Sequence, residues 1–348
     1  MSFVEKGATA VTRGERGIVA LVLKDKEDLK GTYTVYGISS VPEGLSGENQ
    51  QYIKDALKGY QVSSRKVIVY VMESGNENGY TDMMKYFENT KFNWMAVPEA
   101  GKDGKTQDIA TWIKTMRTVN MRMVKAVLPN TSADCEGVVN VTSSLFDAEG
   151  NEITPDAACP RIAGLIAGTP MTISCTYAPM MEYTDCSRMN REEMDEAVDK
   201  GKLVFVWDGE KVKVCRGVNS FVTTTDTKGE SFKKIKIVEI MDMIQEDISI
   251  TVQDSYIGKY ANSYDNKCLL ITAVNAYFAG LVRDGLLKSG TCSIDVEAQR
   301  IYLQSQGESV EEMSDDEIRQ ANTGSRVFLK AVISILDAME DIDLEISI

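Results

Sequence analysis

KVIVYVM (66–72), WMAV (94–97) and VKAVL (124–128) are three short apolar runs separated by two stretches of helical rhythm. Between the first and second, a helix over 80–91 puts Met83, Met84 and Phe87 on one face. Between the second and third, Ile109, Trp112, Ile113 and Met116 follow the i, i+3, i+4, i+7 spacing of a half-buried helix. Strand–helix–strand–helix–strand requires right-handed crossovers and therefore a parallel sheet. Working outward, VVNV (138–141) reads as a further strand. A helix then opens with Thr154 as N-cap and Pro155 as its first residue. Upstream, apolar runs occupy 18–23 and 32–38. A helix over 48–59 gathers Tyr52, Ile53, Ala56 and Leu57 on one side and stops near Gly59. Residues 1–17 are polar and aperiodic, which reads as an extended arm.

The remainder has another texture. Pro179 is the last proline, so 169 residues follow without one. Asn190 and Glu193 have capping-box spacing for a short helix ending at Gly201. LVFVW (203–207) and KVKVCR (211–216) flank Asp208-Gly209, a hairpin signal. Strands are expected at 218–225 and 233–237. A helix should follow with Ile240, Met241, Ile244, Ile248 and Val252 on its apolar face. Leu270, Val274, Tyr277, Phe278 and Leu281 define a second long helix, and Ser314 with Glu317 caps a short third one. The chain closes with VFLKAVISIL and DIDLEISI.

At 348 residues the chain has room for about two domains. Its 52 acids against 38 bases give a net charge of −14, which argues against a phosphate-neutralising surface and so against nucleic acid as a partner. Histidine is absent from the sequence, which removes Ser-His-Asp and Cys-His nucleophiles, histidine zinc ligands and the commonest general base. Seven scattered cysteines include no C-x-x-C and read as reduced, mostly buried thiols of a cytoplasmic product. Neither a secretory leader nor the roughly 20 apolar residues of a membrane span is expected.

Motifs that carry chemistry fare poorly. Gly104-Lys105-Thr106 opens a helix after a strand, but a phosphate loop needs a glycine at 99, where Glu99 stands. Residues 147–151 resemble a calcium loop only superficially and fit a hairpin tip better. The acids at 311, 312 and 315–317 read as a solvated helix start, and 17 dispersed methionines as core filler. No cofactor and no metal are expected, and no catalytic residue.

The end of the chain is distinctive. Asp341, Asp343 and Glu345 alternate with Ile342, Leu344, Ile346 and Ile348, so a strand here would have one acidic and one aliphatic face. It is either an intramolecular edge strand or one donated to another subunit's sheet. Residues 308–348 hold eleven acids and three bases, as an interaction tail would.

Several segments also resemble the contractile tail sheath family, nearest the short sheaths of defective-prophage tails and phage-tail-like bacteriocins of Gram-positive hosts. They are RGVNSF (216–221), MDMI (241–244) with Asp247-Ile248, YIGKYAN (256–262), GSRV (324–327), DAMEDI (337–342) and RIAGLIAGTP (161–170). Coverage runs from about residue 94 to the end; residues 1–90 match poorly. The motif residues carried over are Gly217, Asn219, Tyr256, Gly258, Lys259, Asn262, Asp337 and Met339.

The resemblance implies α/β plus α+β architecture: a central α/β layer similar in fold to subtilisin, a C-terminal α+β sheath domain, and extended N- and C-terminal strand-donating arms. The expected division is an arm at 1–20, a small α/β region at 21–92, a middle domain at 93–202, a sheath domain at 203–336 and a C-terminal arm at 337–348. Phe3, Val4, Val11, Ile342, Leu344, Ile346 and Ile348 are the expected inter-subunit contacts. The implied role is structural: six-subunit rings stacked helically around a tail tube, contracting to drive it through a cell envelope. Its partners would be itself, the tube protein, and baseplate and terminator proteins, with assembly in the bacterial host cytoplasm. A nucleotide- or sugar-phosphate-using α/β enzyme is the alternative, since fold alone does not fix function. A tube or baseplate subunit is a third reading, disfavoured by the length and the paired α/β elements.

Overall fold

The computed structural model describes residues 9–75 and 78–347. Two compact units emerge: residues 15–239 with 338–347, and residues 9–14 with 240–337.

The first unit is a sheet between helices. In chain order it contains β1 (Ile18–Asp25), β2 (Gly31–Val35), α1 (Gly47–Lys58), β3 (Lys66–Glu73), α2 (Gly79–Phe87) and β4 (Trp94–Ala96). There follow α3 (Thr106–Thr118), β5 (Lys125–Pro129), β6 (Val138–Val141), β7 (Leu145–Phe146), β8 (Glu152–Ile153) and α4 (Pro155–Ala167). Then come β9 (Asp185–Cys186), α5 (Arg191–Asp199), β10 (Lys202–Leu203), β11 (Phe205–Trp207) and β12 (Val212–Val214). Seven strands join in the order β10-β6-β5-β4-β1-β3-β2, all parallel to their neighbours except the edge strand β2.

Period-two alternation along β1 divides the core into two halves. Val19, Leu21 and Leu23 pack with Ile53, Ala56 and Leu57 of α1 and Ile162, Ala163 and Ile166 of α4. Ile18, Ala20 and Val22 face the other way, onto Met83 and Phe87 of α2 and Ile109, Ile113 and Met116 of α3. Both faces are covered, as an all-parallel core demands. Helix α4 approaches α1 so closely that a Cβ on Gly164 would lie 2.4 Å from the Ala56 carbonyl oxygen. Its N-cap is Thr154, whose hydroxyl accepts from the Ala157 N–H at 3.4 Å. Two short antiparallel pieces, β8-β7-β9 and the β11–β12 hairpin, complete the unit.

The expected boundaries do not survive this topology. Strand β1 lies between β3 and β4, so residues on both sides of 92 belong to one sheet; β10 at 202 joins it as well. An apolar run with no polar alternation is suited to a strand buried on both faces. For the same reason an arm reaching residue 20 is too long, because β1 begins at Ile18. Nor do strands form at 218–225 and 233–237. A single bridge pairs Val218 with Lys234, and the chain at Ile235 already starts a helix. Asn219 consumes the local backbone there: its amide donates to the Phe232 carbonyl and its side-chain oxygen accepts from the Phe221 N–H.

That helix, α6 (Ile235–Ser255), passes from the first unit into the second at Ile240. The second unit continues with α7 (Tyr264–Arg283), β13 (Leu287–Ile294), α8 (Val296–Ser305), α9 (Asp315–Gln320) and β14 (Leu329–Ile335). Helix α7 buries the expected face, Leu270, Val274, Tyr277, Phe278 and Leu281. Helix α6 does not follow its expected stripe. Ile240, Met243 and Ile244 are buried together with Asp242, Asp247 and Thr251, whereas Met241, Ile248 and Val252 are half-exposed. Strands β13 and β14 form a two-stranded antiparallel ribbon. Gly290 of β13 sits on Phe278, whose Cβ would be 2.9 Å from an added methyl.

Candidate assembly interface

Among the described residues the ribbon is incomplete. A hairpin-sized sheet is marginal alone and needs a covered face or further strands. Helix α7 covers part of β13, where Leu287, Cys292 and Ile294 are buried, but no residue of β14 is buried. Val332 at mid-strand is 62% exposed. The two outer edges also differ. On β13 the Asn275 side chain donates to the Cys292 carbonyl at 3.0 Å and accepts its N–H at 2.7 Å, occupying the main chain that another strand would use. Among the described residues β14 pairs only with β13, so its outer edge is open.

The root of the N-terminal arm is tied down in the same unit. Buried Asp247 accepts the Gly14 N–H at 2.9 Å and the Tyr277 hydroxyl at 2.8 Å. Arg13 pairs with Asp284 at 2.5 Å, and the Tyr256 hydroxyl donates to the Thr9 carbonyl at 3.1 Å. Burial pushes the Tyr256 phenol up, keeping it a donor at neutral pH. Val11 lies half-buried in this segment. Phe3 and Val4 lie outside the described residues.

The quoted motif residues have separable tasks. Tyr256 stacks on Tyr260 with ring centres 5.3 Å apart. Gly258 adopts a φ of +72°, a left-handed turn that glycine enters without strain, and Lys259 donates to the Asp254 carbonyl. The Asn262 amide nitrogen lies 2.8–3.1 Å from the carbonyls of Gly324 and Arg326 and the Thr323 hydroxyl, joining the α6–α7 connection to the turn before β14. Gly217 and Asn219 lie in the first unit, and Gly217 is a close-approach position. An added Cβ would come within 2.9 Å of the Cys175 sulfur. Asp337 follows β14, and Met339 is 93% exposed.

From Ala338 onward the C-terminal arm belongs to the first unit, and two of its acids meet cations there. Glu340 accepts the Thr176 hydroxyl at 2.6 Å and faces Arg216 and Lys234; Asp341 pairs with Arg216. Arg216 holds the Asp341 carboxyl below its usual range. Beyond it Ile342, Leu344 and Ile346 are at least 75% exposed and form no strand. Ile348 lies outside the described residues. Neither Asp247 nor Glu340 was singled out by its residue type. Each looks like an ordinary acid until a distant donor meets it.

The parallel sheet offers little to an enzyme. At Gly101-x-x-Gly104 the Asp156 carboxylate lies against Gly101, where a phosphate would have to approach, and Lys105 pairs with Asp108 at 3.1 Å. A polar crevice of about 570 Å³ lies beyond the carboxyl ends of β5 and β6, lined by Asn130, Asn140, Thr142, Lys200 and Lys202 among others. Lys200 is already paired with Glu196 there. Burial pushes the thiols of Cys135, Cys159, Cys215 and Cys292 up, Cys186 to about 11 and Cys175 to about 12, so these are not thiolate nucleophiles. Among the described residues no helix is long and apolar enough to cross a membrane.

Family models for the phage tail sheath protein central domain and the phage tail sheath C-terminal domain match residues 60–220 and 227–348. A tail sheath protein of Clostridium phage phiCD119 is 36% identical over 351 residues, covering 99% of this chain and 97% of that protein. The chain belongs to the phage tail sheath family. A second relative, protein XkdK of the phage-like element PBSX of Bacillus subtilis, is 32% identical over 173 residues, 49% of this chain and 37% of its own length. The fold matches the helical sheath of the anti-feeding prophage in its contracted state, with a TM-score of 0.71 over 100% and 98% of the two chains at 14% identity. It also matches the sheath tail protein of Desulfitobacterium hafniense, with a TM-score of 0.69 over 85% and 93% at 18% identity. The sheath family is structural, and the nucleotide-using enzyme gains no support from these relatives.

Proposed function

We propose that this sheath chain polymerises by strand exchange into stacked six-subunit rings around a tail tube, and that contraction of this lattice drives the tube through a target envelope. The observation that carries the reading is the pairing of an open-edged, unburied β14 with an exposed arm whose aliphatic residues recur at period two. One chain's arm supplies what another chain's ribbon lacks: a main-chain ladder and an apolar face. Such head-to-tail contacts do not close on themselves, as a stacked lattice requires. Ladders between subunits also persist while their connecting segments bend, so the lattice can rearrange without dissociating.

On this reading Phe3, Val4, Val11, Ile342, Leu344, Ile346 and Ile348 contact neighbouring subunits. Bending concentrates in the N-terminal arm and around 336–341, while the α/β layer, subtilisin-like in the resemblance, moves as a rigid body. Tube, baseplate and terminator proteins are the remaining partners, assembly takes place in the bacterial cytoplasm, and the chain performs no catalysis. The energy is a conformational difference trapped behind a barrier rather than nucleotide hydrolysis.

Deleting residues 342–348 tests the reading. The truncated chain should remain a folded monomer and form no sheaths in electron micrographs, because its core elements are untouched. Sheaths of normal length from the truncated chain would overturn strand donation.

A further inference from the structure

The contacts of Glu340 bear on where the donated strand begins. Glu340 has a side-chain exposure of 11%, between the exposed Met339 and Ile342. Its socket comes from three separate stretches of the α/β unit. The Thr176 hydroxyl oxygen accepts from the Gly217 N–H at 2.8 Å and from the Ser174 hydroxyl at 3.0 Å, which leaves its own proton for Glu340. Arg216 and Lys234 stand 3.7 and 3.4 Å from the other carboxylate oxygen, and Arg216 also holds Asp341. Two cations thus meet two consecutive acids, and one acid is withdrawn from solvent with a directed hydroxyl bond. Buried, charge-assisted contacts of this kind hold far better than exposed ion pairs. Gly217 makes the socket possible, since any side chain there would strike Cys175 and Ser174.

We propose that Glu340 is the positioning residue that clamps the root of the C-terminal arm, so that the donated strand starts at Ile342. The inference rests on the strand-donation reading, adds its geometry, and narrows the bending proposed around 336–341 to residues 336–337, ahead of the clamp. With 338–341 held, seven residues are free, a reach of about 23 Å at 3.3 Å per residue. Released, the free segment is eleven residues and about 36 Å, long enough to slip register by two residues and still present the same face. The clamp therefore fixes which residue of the arm meets which residue of the receiving strand. Glu340 and Asp341 face the socket rather than the neighbour, so the acids left to flank the donated ladder are Asp343 and Glu345.

The test uses the full-length chain and two readouts, thermolysin cleavage before Met339 in the free protein and the regularity of assembled sheaths by electron microscopy. Glu340→Ala should leave the melting curve unchanged, raise the cleavage rate roughly tenfold and give sheaths of irregular pitch, because cleavage follows the population of the opened segment. Glu340→Gln keeps the hydroxyl bond and sheds the charge, so it should fall between the two. Wild-type cleavage and pitch in Glu340→Ala would overturn the clamp. If the chain lacking 342–348 still failed to polymerise, strand donation would stand without it; if that chain also polymerised normally, both readings would fall.

Discussion

Strands β1 and β14 are alike in composition and opposite in surroundings. IVALVLKD lies between two parallel neighbours with helices on both faces, and seven of its eight residues are buried. Among the described residues LKAVISI has one neighbour, and none of its own residues is buried. The difference lies in how far each unit satisfies itself. The α/β unit closes its own apolar faces, whereas among the described residues the ribbon keeps one face and one edge bare. On the strand-donation reading a sheath subunit needs both kinds of region, one that holds its shape as a monomer and one completed in the polymer.

The contrast can be broken most directly by cavity-forming substitutions. Phe87→Ala, fully buried under the sheet, should cost about 3–5 kcal/mol in denaturant unfolding of the monomer. Val332→Ala on β14 should cost less than about 0.5 kcal/mol in the same measurement and yet weaken polymerisation. Comparable losses at the two positions would show that the ribbon is already complete in the monomer.

A smaller effect is expected from overpacking. Gly164→Ala forces a methyl against the Ala56 carbonyl at the α1–α4 contact and should destabilise the monomer by about 1–3 kcal/mol. Gly285→Ala, where no atom lies within 4 Å but φ is +73°, should show only the milder strain of a left-handed alanine. Thermal melts of the two variants rank the contact against the backbone conformation.

Acid titration sharpens the comparison further. Burial alone would raise the Asp25 carboxyl, but donation from the Ser46 N–H, the Asn49 amide and the Lys26 N–H outweighs it and holds the group below the usual range. A carboxyl depressed in the folded state adds stability that is complete above about pH 4 and is lost as pH falls through the folded value. Asp25→Asn should flatten that acid limb of the stability profile. An unchanged limb would remove Asp25 as its source.

Lys267 in the second unit gives the smallest effect and the opposite kind of burial. It is 3% exposed, and its amine reaches the Thr323 hydroxyl at 3.4 Å; burial lowers its pKa. The unfolded chain then binds the proton more tightly, so stability should rise with pH between the lowered folded value and about 10.4. Lys267→Met should abolish that rise and stabilise the chain modestly at neutral pH. A destabilised Met variant would mean that the Thr323 contact outweighs the desolvation.

Local chemistry was legible in the sequence. The strand–helix alternation over 66–128, the buried faces of α1 and α7, the Thr154, Asn190 and Ser314 caps and the turn at Asp208-Gly209 each depend on residues within a few positions of one another. So did the absence of histidine, fixed by composition alone. Tertiary structure decided the rest. It put β1 inside the sheet, began α6 where a strand was expected, and blocked one edge of the ribbon with Asn275 while leaving the other open among the described residues. It also turned Asp247 and Glu340 from surface acids into anchors. Their donors stand 233 and 164 residues away in the chain, at Gly14 and Thr176. Periodicity and propensity act over one or two helical turns, whereas the burial of a charge is settled by whichever distant group folding brings to it.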